Sequence, residues 1–393
     1  MRFLSCSPGK TVVVTFIFWT ALLVLVLAFA HIVAAWFYAK GLYREVLEVG
    51  PRLVEPGIWV RAVGRDRITL EASGPRQDIG HPGTLGLVWR AGRARVGDVV
   101  DADTGRIVRT YSPVAGSPPP VCKGALADCE PVVLEGYVFV DPAEVGLEFS
   151  ETTYQTPLGA QAAWLIPGHD QTRWAIHSHG WRAERREMVR LLRPFAADGR
   201  TSLVIDYRND PGGPNDPSGR YRFGLSEWAD LEAAVGYALD HGGAEDIVLT
   251  GCSTGAALVM RFLEESNLAG HVSGVVLDAP NIVLADTIRL GLTDTRGSRL
   301  MKETTLVIAD LRWGIDWDTT NYVGRARDIL EVPTLVFHGT SDQTVPISGS
   351  RRLQAEVPEL VELVETPAAG HVMSWNVDPE RYEGYVARFL DLL

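Results

Sequence analysis

A chain of 393 residues is long enough for one large domain or two ordinary ones with an ample core. Its formal net charge of -12, together with the lack of a lysine- or arginine-rich cluster, argues against a nucleic-acid-binding surface. Hydrophobic residues make up 46% of the sequence, and part of this share is concentrated in one segment near the N-terminus.

The first predicted element is an apolar helix. Residues 11–38 contain no Asp, Glu, Lys or Arg. About 20 apolar residues in a helix cross a bilayer, so this segment is long enough to span one with some tilt. Trp36 and Tyr38 near its end fit an interfacial aromatic belt. We therefore predict that residues 1–40 form an N-terminal tail and a single-pass transmembrane anchor.

Other interpretations of this segment are open. Ala28-Phe29-Ala30 has the small-x-small form of a signal-peptidase site, which would make the segment a cleaved signal peptide. The apolar run continues past that site, however, and is longer than a usual signal core. A buried soluble helix would normally have a polar face, which this segment lacks. Basic residues lie on both sides of the segment, so the positive-inside rule does not decide its orientation.

Residues 41–147 are predicted to form a short helical stalk and then a small β-rich accessory module. Short strand-like runs are separated by turn residues, and no long helical pattern is present. No group of catalytic residues appears within this module. His81 is interpreted as a loop residue.

Two cysteines of the module, Cys122 and Cys129, lie close together in a Pro/Gly-rich loop. A disulfide between them would indicate an oxidising, extracytoplasmic location, whereas two free thiols are the alternative. No two further ligands are spaced to make a zinc site with this pair. We predict that the N-terminus is inside the cell and that the catalytic domain is extracytoplasmic.

From residue 148 to 393, near-continuous apolar strands alternate with helices. This rhythm predicts a mostly parallel sheet that helices cover on both faces. The predicted strands are 162–166, 174–177, 203–207, 247–250, 275–278, 334–338 and 360–365, and the predicted helices are 184–197, 227–240, 256–265, 348–356 and 379–392.

The most informative motif in this region is Gly251-Cys252-Ser253-Thr254-Gly255, between a predicted strand and a predicted helix. A serine at such a turn has its hydroxyl lifted clear of the sheet, and Gly251 and Gly255 avoid clashes with the neighbouring strand and helix. The motif predicts that Ser253 is a nucleophile. Cys252 points elsewhere if Ser253 faces the substrate.

A serine nucleophile needs a base and an acid, which in this architecture follow it in the order acid, then histidine. Asp342 follows a predicted apolar strand in a glycine-containing turn, at the end where parallel-sheet sites gather. His371 is the only histidine after it. Asp278 is the alternative acid, with Asp316 and Asp318 as weaker candidates. His338 is interpreted as a packed or turn-supporting residue.

Two backbone amides are predicted to form the oxyanion hole. Thr254 directly follows the nucleophile. The second amide is expected from Trp181, in the loop after the strand that ends at residue 177, where Gly180 allows the backbone to approach a substrate closely. A plain turn between strand and helix is the alternative interpretation of this loop.

With these residues in this order, residues 148–393 resemble the α/β-hydrolase superfamily, and most closely its dienelactone-hydrolase and prolyl-oligopeptidase-like branch. The resemblance rests on His179-Gly180, Asp206-Tyr207-Arg208, the motif from Gly251 to Gly255, His338-Gly339-x-x-Asp342-x-x-Val345-Pro346 and Gly370-His371. It implies an α/β-hydrolase fold and a covalent acyl-enzyme on Ser253, with no metal and no organic cofactor. Residues 281–329 occupy the place where such enzymes carry a cap, and the apolar residues available to line it are Leu290, Leu292, Leu311, Trp313 and Trp317.

The predicted function is therefore that of a membrane-anchored serine hydrolase, an esterase or lipase that acts on small-molecule or lipid carboxylic esters. A serine peptidase of the prolyl-oligopeptidase-like type and an acyltransferase use the same intermediate and stay open. A non-catalytic binding protein on a hydrolase scaffold is the remaining alternative. The acyl group, the leaving group and the oligomeric state are not defined by the sequence.

Overall fold

A computed structural model describes residues 8–50, 57–73, 79–103, 105–292 and 298–393. Residues 1–7 of the predicted tail and residues 293–297 of the predicted cap segment lie outside this description. The helices are α1 (Pro8–Leu42), α2 (Leu192–Ala197), α3 (Trp228–Gly242), α4 (Thr254–Glu265), α5 (Leu284–Gly291), α6 (Arg299–Trp313), α7 (Ala326–Ile329), α8 (Ser348–Glu356), α9 (Ser374–Val377) and α10 (Pro379–Leu390).

The described strands form two sheets. The first sheet contains β1 (Ile58–Val63), β2 (Arg67–Ala72), β3 (Leu85–Trp89), β4 (Gly92–Asp103), β5 (Arg106–Gly116) and β6 (Val133–Glu135). The second contains β7 (Ser150–Thr156), β8 (Gly159–Ile166), β9 (Asp170–Ser178), β10 (Arg200–Ile205), β11 (Asp246–Cys252), β12 (Val272–Asp278), β13 (Thr334–Gly339) and β14 (Val361–Thr366).

The chain forms two compact units. The smaller consists of residues 1–48 and 292–317, and the larger of residues 49–291 and 318–393. Residues 292–317 of the predicted cap segment therefore belong to the same unit as the N-terminal helix, although strands of the larger unit lie before and after them in the chain.

In the smaller unit, α1 packs against α6. His31 Nε2 lies 3.0 Å from the Thr304 hydroxyl. The Trp313 ring stacks with Trp36 and with Tyr43, at centroid distances of 6.3 and 4.9 Å. Leu311 is 82% exposed. Within this unit, Leu311 is thus exposed, and Trp313 packs on aromatic rings of the N-terminal segment.

The eight-stranded sheet has the order β14-β13-β12-β11-β9-β10-β8-β7. The six strands from β14 to β10 in this order are parallel, while β8 is antiparallel to both β10 and β7. The predicted mostly parallel sheet is confirmed. Successive side chains of β11 face opposite sides of the sheet: Ile247 and Leu249 join the core under α3 and α4, and Val248 joins the core under α2 and α10.

One predicted helix, 184–197, is only partly correct. The chain forms a 3₁₀ segment at Arg185–Leu191, and the α-helix begins only at Leu192. Pro194 explains this boundary, because proline lacks the N–H of an interior helical position and is tolerated in the first turn. The 3₁₀ segment buries Glu187 and Arg190, which lie near the site described below.

The six-stranded sheet is antiparallel, with the order β1-β2-β5-β4-β3-β6. Its core includes Val60, Leu70, Leu87 and Val96. The structure joins Cys122 and Cys129 in a disulfide. Below, "β-module" means residues 57–135 as far as the structure describes them.

Candidate active site

Ser253 lies at the turn between β11 and α4 in a strained backbone conformation. Its φ is 51° and its ψ is -111°, which is unfavourable for a residue with a Cβ and is typical of functional sites. Two hydrogen bonds hold this conformation: the Ser253 amide donates to Asp278 O over 2.9 Å, and the Asn281 amide donates to Ser253 O over 3.0 Å. A Cβ at Gly255 would overlap the Ser178 carbonyl oxygen, so the turn requires glycine there.

Three of the predicted residues meet in one hydrogen-bonded chain. His371 Nε2 lies 2.8 Å from Ser253 Oγ, and His371 Nδ1 lies 2.8 Å from Asp342 Oδ2. The side chain of Asp342 is 0% exposed, while that of His371 is 22% exposed. This geometry suits proton transfer from the serine hydroxyl to an imidazole whose other nitrogen is held by a carboxylate.

The Asp342 carboxylate is fixed from several sides. Oδ1 accepts the amides of Thr344 and Val345, each over 2.8 Å. Burial alone would raise the pKa of Asp342, but hydrogen bonds from His338 and His371 hold that pKa well below its usual range. The carboxylate is therefore ionised at neutral pH and can orient the imidazole.

His338 contacts the acid directly. Its Nε2 lies 3.3 Å from Asp342 Oδ2, and its Nδ1 lies 2.8 Å from Ser350 Oγ. The sequence interpretation as a packed or turn-supporting residue omits this contact. In the sequence, the contact is indicated only by position: His338 lies near the end of β13, four residues before Asp342.

Asp278, the alternative acid, has a different role. Its backbone carbonyl accepts the Ser253 amide, and burial raises the pKa of its carboxyl to about 6. His371 Nδ1 is instead bonded to Asp342. Asp316 and Asp318 have exposed side chains.

Cys252 faces away from the hydroxyl of its neighbour. It is a free, fully buried cysteine in the core under α2 and α10. Burial raises the pKa of its thiol well above the usual value. The thiolate form needed for nucleophilic attack is therefore disfavoured.

The predicted oxyanion loop lies against the nucleophile. A Cβ at Gly180 would lie 3.2 Å from Ser253 Cβ. The Gly180 amide donates to Glu187 Oε2 over 2.7 Å, and Trp181, the predicted oxyanion donor, follows it directly in the chain. Thr254 is the first residue of α4, where helical amides have no carbonyl partner within the helix. Glu187 was not identified from the sequence, because it lies in the charged run Glu184-Arg185-Arg186-Glu187, which is typical of an exposed surface.

His179 anchors this loop from beneath. Its Nε2 lies 2.9 Å from Asp210 Oδ2, and its ring stacks on Tyr207 at 4.6 Å. The Tyr207 hydroxyl donates to the carbonyl of His179 over 3.0 Å. Burial alone would lower the pKa of His179, but the Asp210 carboxylate outweighs burial and raises that pKa to about 9. His179 is thus a support of the loop rather than a reacting group.

This ion pair predicts a pH-dependent stability. Because the folded-state pKa of His179 is raised from about 6.5 in an unfolded chain, its contribution is complete below pH 6.5 and is lost as the pH rises through about 9. Urea unfolding at pH 6 and pH 9.5 should show a lower free energy of unfolding at the higher pH. In His179→Gln this difference should shrink, and an unchanged difference would contradict the assignment.

Among the described residues, His179, Asp206 and Asp210 form the group whose ligand atoms lie within 4.8 Å of one another. These atoms already have partners, because His179 bonds to Asp210 and Asp206 pairs with Arg185 over 3.0 Å. A cation would have to replace both ion pairs. The donor set therefore fits a hydrogen-bonded support better than a metal site.

Comparisons with known proteins give the family and the fold of the chain. A sequence profile described as "Alpha/beta hydrolase family" matches residues 165–384, and a profile of a domain of unknown function matches residues 59–125. No curated protein matches the chain. Two structures of the esterase Pf2001 from Pyrococcus furiosus are similar at 20% and 22% identity, each with a TM-score of 0.51 and covering 64% of this chain and 94% and 93% of the esterase. At this identity the likeness shows the fold alone.

Proposed function

The chain belongs to the alpha/beta hydrolase family, and we propose that it is a serine esterase that cleaves carboxylic esters through an acyl-enzyme on Ser253. The observation that carries the proposal is the hydrogen-bonded chain from Ser253 through His371 to Asp342, with 2.8 Å at both steps. The similarity of the fold to an esterase supports the choice of an ester substrate.

The proposed reaction has two halves. In the first, Ser253 Oγ attacks the ester carbonyl carbon while His371 Nε2 takes the hydroxyl proton. The amides of Trp181 and Thr254 stabilise the negative charge on the carbonyl oxygen. The C–O bond to the alcohol then breaks, and the alcohol leaves with the proton from His371.

In the second half, water replaces the alcohol. His371 takes a proton from the water as it attacks the acyl carbon, and returns this proton to Ser253 Oγ when the acid leaves. Throughout, the Asp342 carboxylate holds Nδ1–H and stabilises the imidazolium. Each half therefore uses the same three side chains and two amides.

A substrate panel tests this proposal. Full-length protein in detergent is expected to label with a fluorophosphonate at Ser253 and to hydrolyse nitrophenyl esters, with chain lengths from acetate to laurate defining the acyl preference. Dipeptide nitroanilides are the matched amide substrates. Comparable turnover of the amides would indicate a peptidase, and acceleration by added alcohol with ester formation would indicate an acyltransferase. If the protein is not labelled and turns over no substrate, it would instead be a non-catalytic binding protein.

We further propose that α1 is a single-pass anchor and that the hydrolase unit lies outside the cytoplasm. Among the described residues, one helical segment is long and apolar enough to cross a membrane: Thr15–Leu47, which comprises most of α1 and the π-helical turn after it. The Cys122–Cys129 disulfide supports an oxidising compartment. The exposed Leu300 and Val307 of α6, which packs on α1, add apolar surface to the same unit.

Fractionation of cells tests the anchor. The protein should remain with membranes after an alkaline carbonate wash, and a variant that lacks residues 1–40 should not. Mass spectrometry should find peptides from residues 11–38 in the mature protein. A mature N-terminus just after Ala30 would instead show that the segment is a cleaved signal peptide.

A further inference from the structure

One histidine of the β-module contacts the loop that carries His371. The Gly370 amide donates to His81 Nε2 over 2.9 Å, and Gly370 directly precedes His371 in the chain. Gly370 is buried, so its N–H needs an acceptor within the protein. A Cβ at Gly370 would lie 2.5 Å from the same nitrogen, which means that the imidazole lies against the bare face of the glycine.

The hydrogen bond also defines the form of the His81 ring. An amide N–H can only donate, so Nε2 must accept with its lone pair. The ring proton is then on Nδ1, which lies 3.1 Å from the Pro82 carbonyl oxygen and can donate to it. Both ring nitrogens therefore have hydrogen-bond partners: Nδ1 orients the ring through Pro82 O, and Nε2 accepts from the Gly370 amide.

The segment that presents His81 is itself fixed by a buried arginine. Arg109 of β5 is 0% exposed. Its guanidinium donates to the carbonyl oxygens of Ile79, His81 and Gly83 over 2.9, 2.7 and 2.7 Å, and its Nε donates to Gly97 O over 2.8 Å. A cation that binds three carbonyls of one short segment makes that segment part of the rigid sheet.

A second set of hydrogen bonds holds the chain after His371. Asn376 in α9 donates to the carbonyls of Thr84 and Gly136 over 2.7 and 2.9 Å, and its own carbonyl accepts the Thr84 amide over 2.8 Å. Arg190 donates to the Asn376 side chain over 2.7 Å. The β-module therefore holds the chain both before and after His371.

The loop needs such support because its backbone is strained. Ala368 and Val372 have φ values of 59° and 53°, on either side of His371. A β-branched residue in this region is an outlier that persists only where the surroundings impose it. The β-module can stabilise this strained backbone conformation through its hydrogen bonds to Gly370 and Asn376.

We propose that the β-module is a positioning device for the catalytic histidine, and that His81 is its positioning residue. His81 acts through Gly370 and does not contact the reacting atoms. The module thereby completes the hydrolase site, and its role is to keep His371 Nε2 within reach of Ser253 Oγ. This inference rests on the proposed serine hydrolase function.

Three full-length variants test the inference with a nitrophenyl ester as substrate. In His81→Leu the acceptor is lost, and kcat is expected to fall by about 10- to 100-fold because a displacement of about 1 Å has this effect, while KM should change little. In His81→Gln the side-chain carbonyl can accept the Gly370 amide, so most of kcat should return. His169→Leu, at an exposed histidine, should behave as the wild type.

The rate of fluorophosphonate labelling at Ser253 should fall and recover in parallel with kcat. A kcat of His81→Leu within twofold of the wild type would overturn the inference, as would an equal loss in His81→Gln. If His81→Leu does not fold, Gly370→Ala is the second test: it keeps the amide but places a Cβ 2.5 Å from His81 Nε2, which pushes the ring away from the amide. An unchanged kcat in that variant would overturn the inference instead. An inactive, unlabelled wild type would refute the proposed function itself.

Discussion

Replacing Ser253 by alanine is expected to lower kcat for ester hydrolysis by about 10⁵- to 10⁶-fold, the loss typical of removing a nucleophile from a serine–histidine–aspartate site. The reason is that His371 Nε2 then has no hydroxyl to deprotonate, while the proposed oxyanion-hole amides of Trp181 and Thr254 are retained. The remaining rate can be measured with a high enzyme concentration and long incubation with the ester. Fluorophosphonate labelling should disappear.

Ser341→Ala is the matched control, because Ser341 is an exposed serine in the loop that carries Asp342. Its activity and its labelling should equal those of the wild type. If Ser253→Ala kept more than a small fraction of the activity, another nucleophile would have to form the acyl-enzyme. Because Ser253 is buried at the turn before α4, circular dichroism should be used to check the fold of both variants. The spectra are expected to match that of the wild type.

Asp342→Asn is expected to lower kcat by about 10⁴-fold, because a neutral amide no longer fixes the imidazole tautomer with Nδ1–H or stabilises the imidazolium. The fold should be retained, since an asparagine carbonyl can still accept the amides of Thr344 and Val345. The pH dependence of kcat over KM, measured with a nitrophenyl ester, should change together with the rate.

Asp278→Asn is the comparison that separates the two candidate acids. The Ser253 amide donates to the backbone carbonyl of Asp278, which asparagine retains. The loss of activity should therefore be small compared with that of Asp342→Asn. The reverse ranking of the two variants would assign the acid role to Asp278 and would contradict the observed His371–Asp342 hydrogen bond.

Much of the hydrolase half could be predicted from the sequence because its signals are local. The apolar run before Gly251 and the glycines around Ser253 define a strand, a turn and a helix within a few residues. The chain order then selected His371 after Asp342, and the structure brings all three side chains together. Glycine at 180 similarly predicted a backbone that could approach a substrate closely, and the structure places Gly180 against Ser253.

Contacts between distant segments could not be predicted in this way. His81 and Gly370 are 289 residues apart, and no property of either residue alone indicates their hydrogen bond. The same is true of Trp313, whose apolar side chain is compatible with a cap but stacks with Trp36 and Tyr43. Hydrophobic patterns state that a side chain will be buried, but they do not state against which partner.

The pairing of α1 with α6 has a consequence for the order of events during synthesis. His31 and Thr304 are 273 residues apart. At about 5 to 20 residues per second, the ribosome needs on the order of 10 to 60 s to make the chain between them. During that interval α6 does not yet exist to pack on α1, and insertion of α1 as the proposed membrane anchor would bury its apolar surface. Most of the hydrolase strands emerge before α6 does, so the nascent protein would be tethered first and would close its helical pair late.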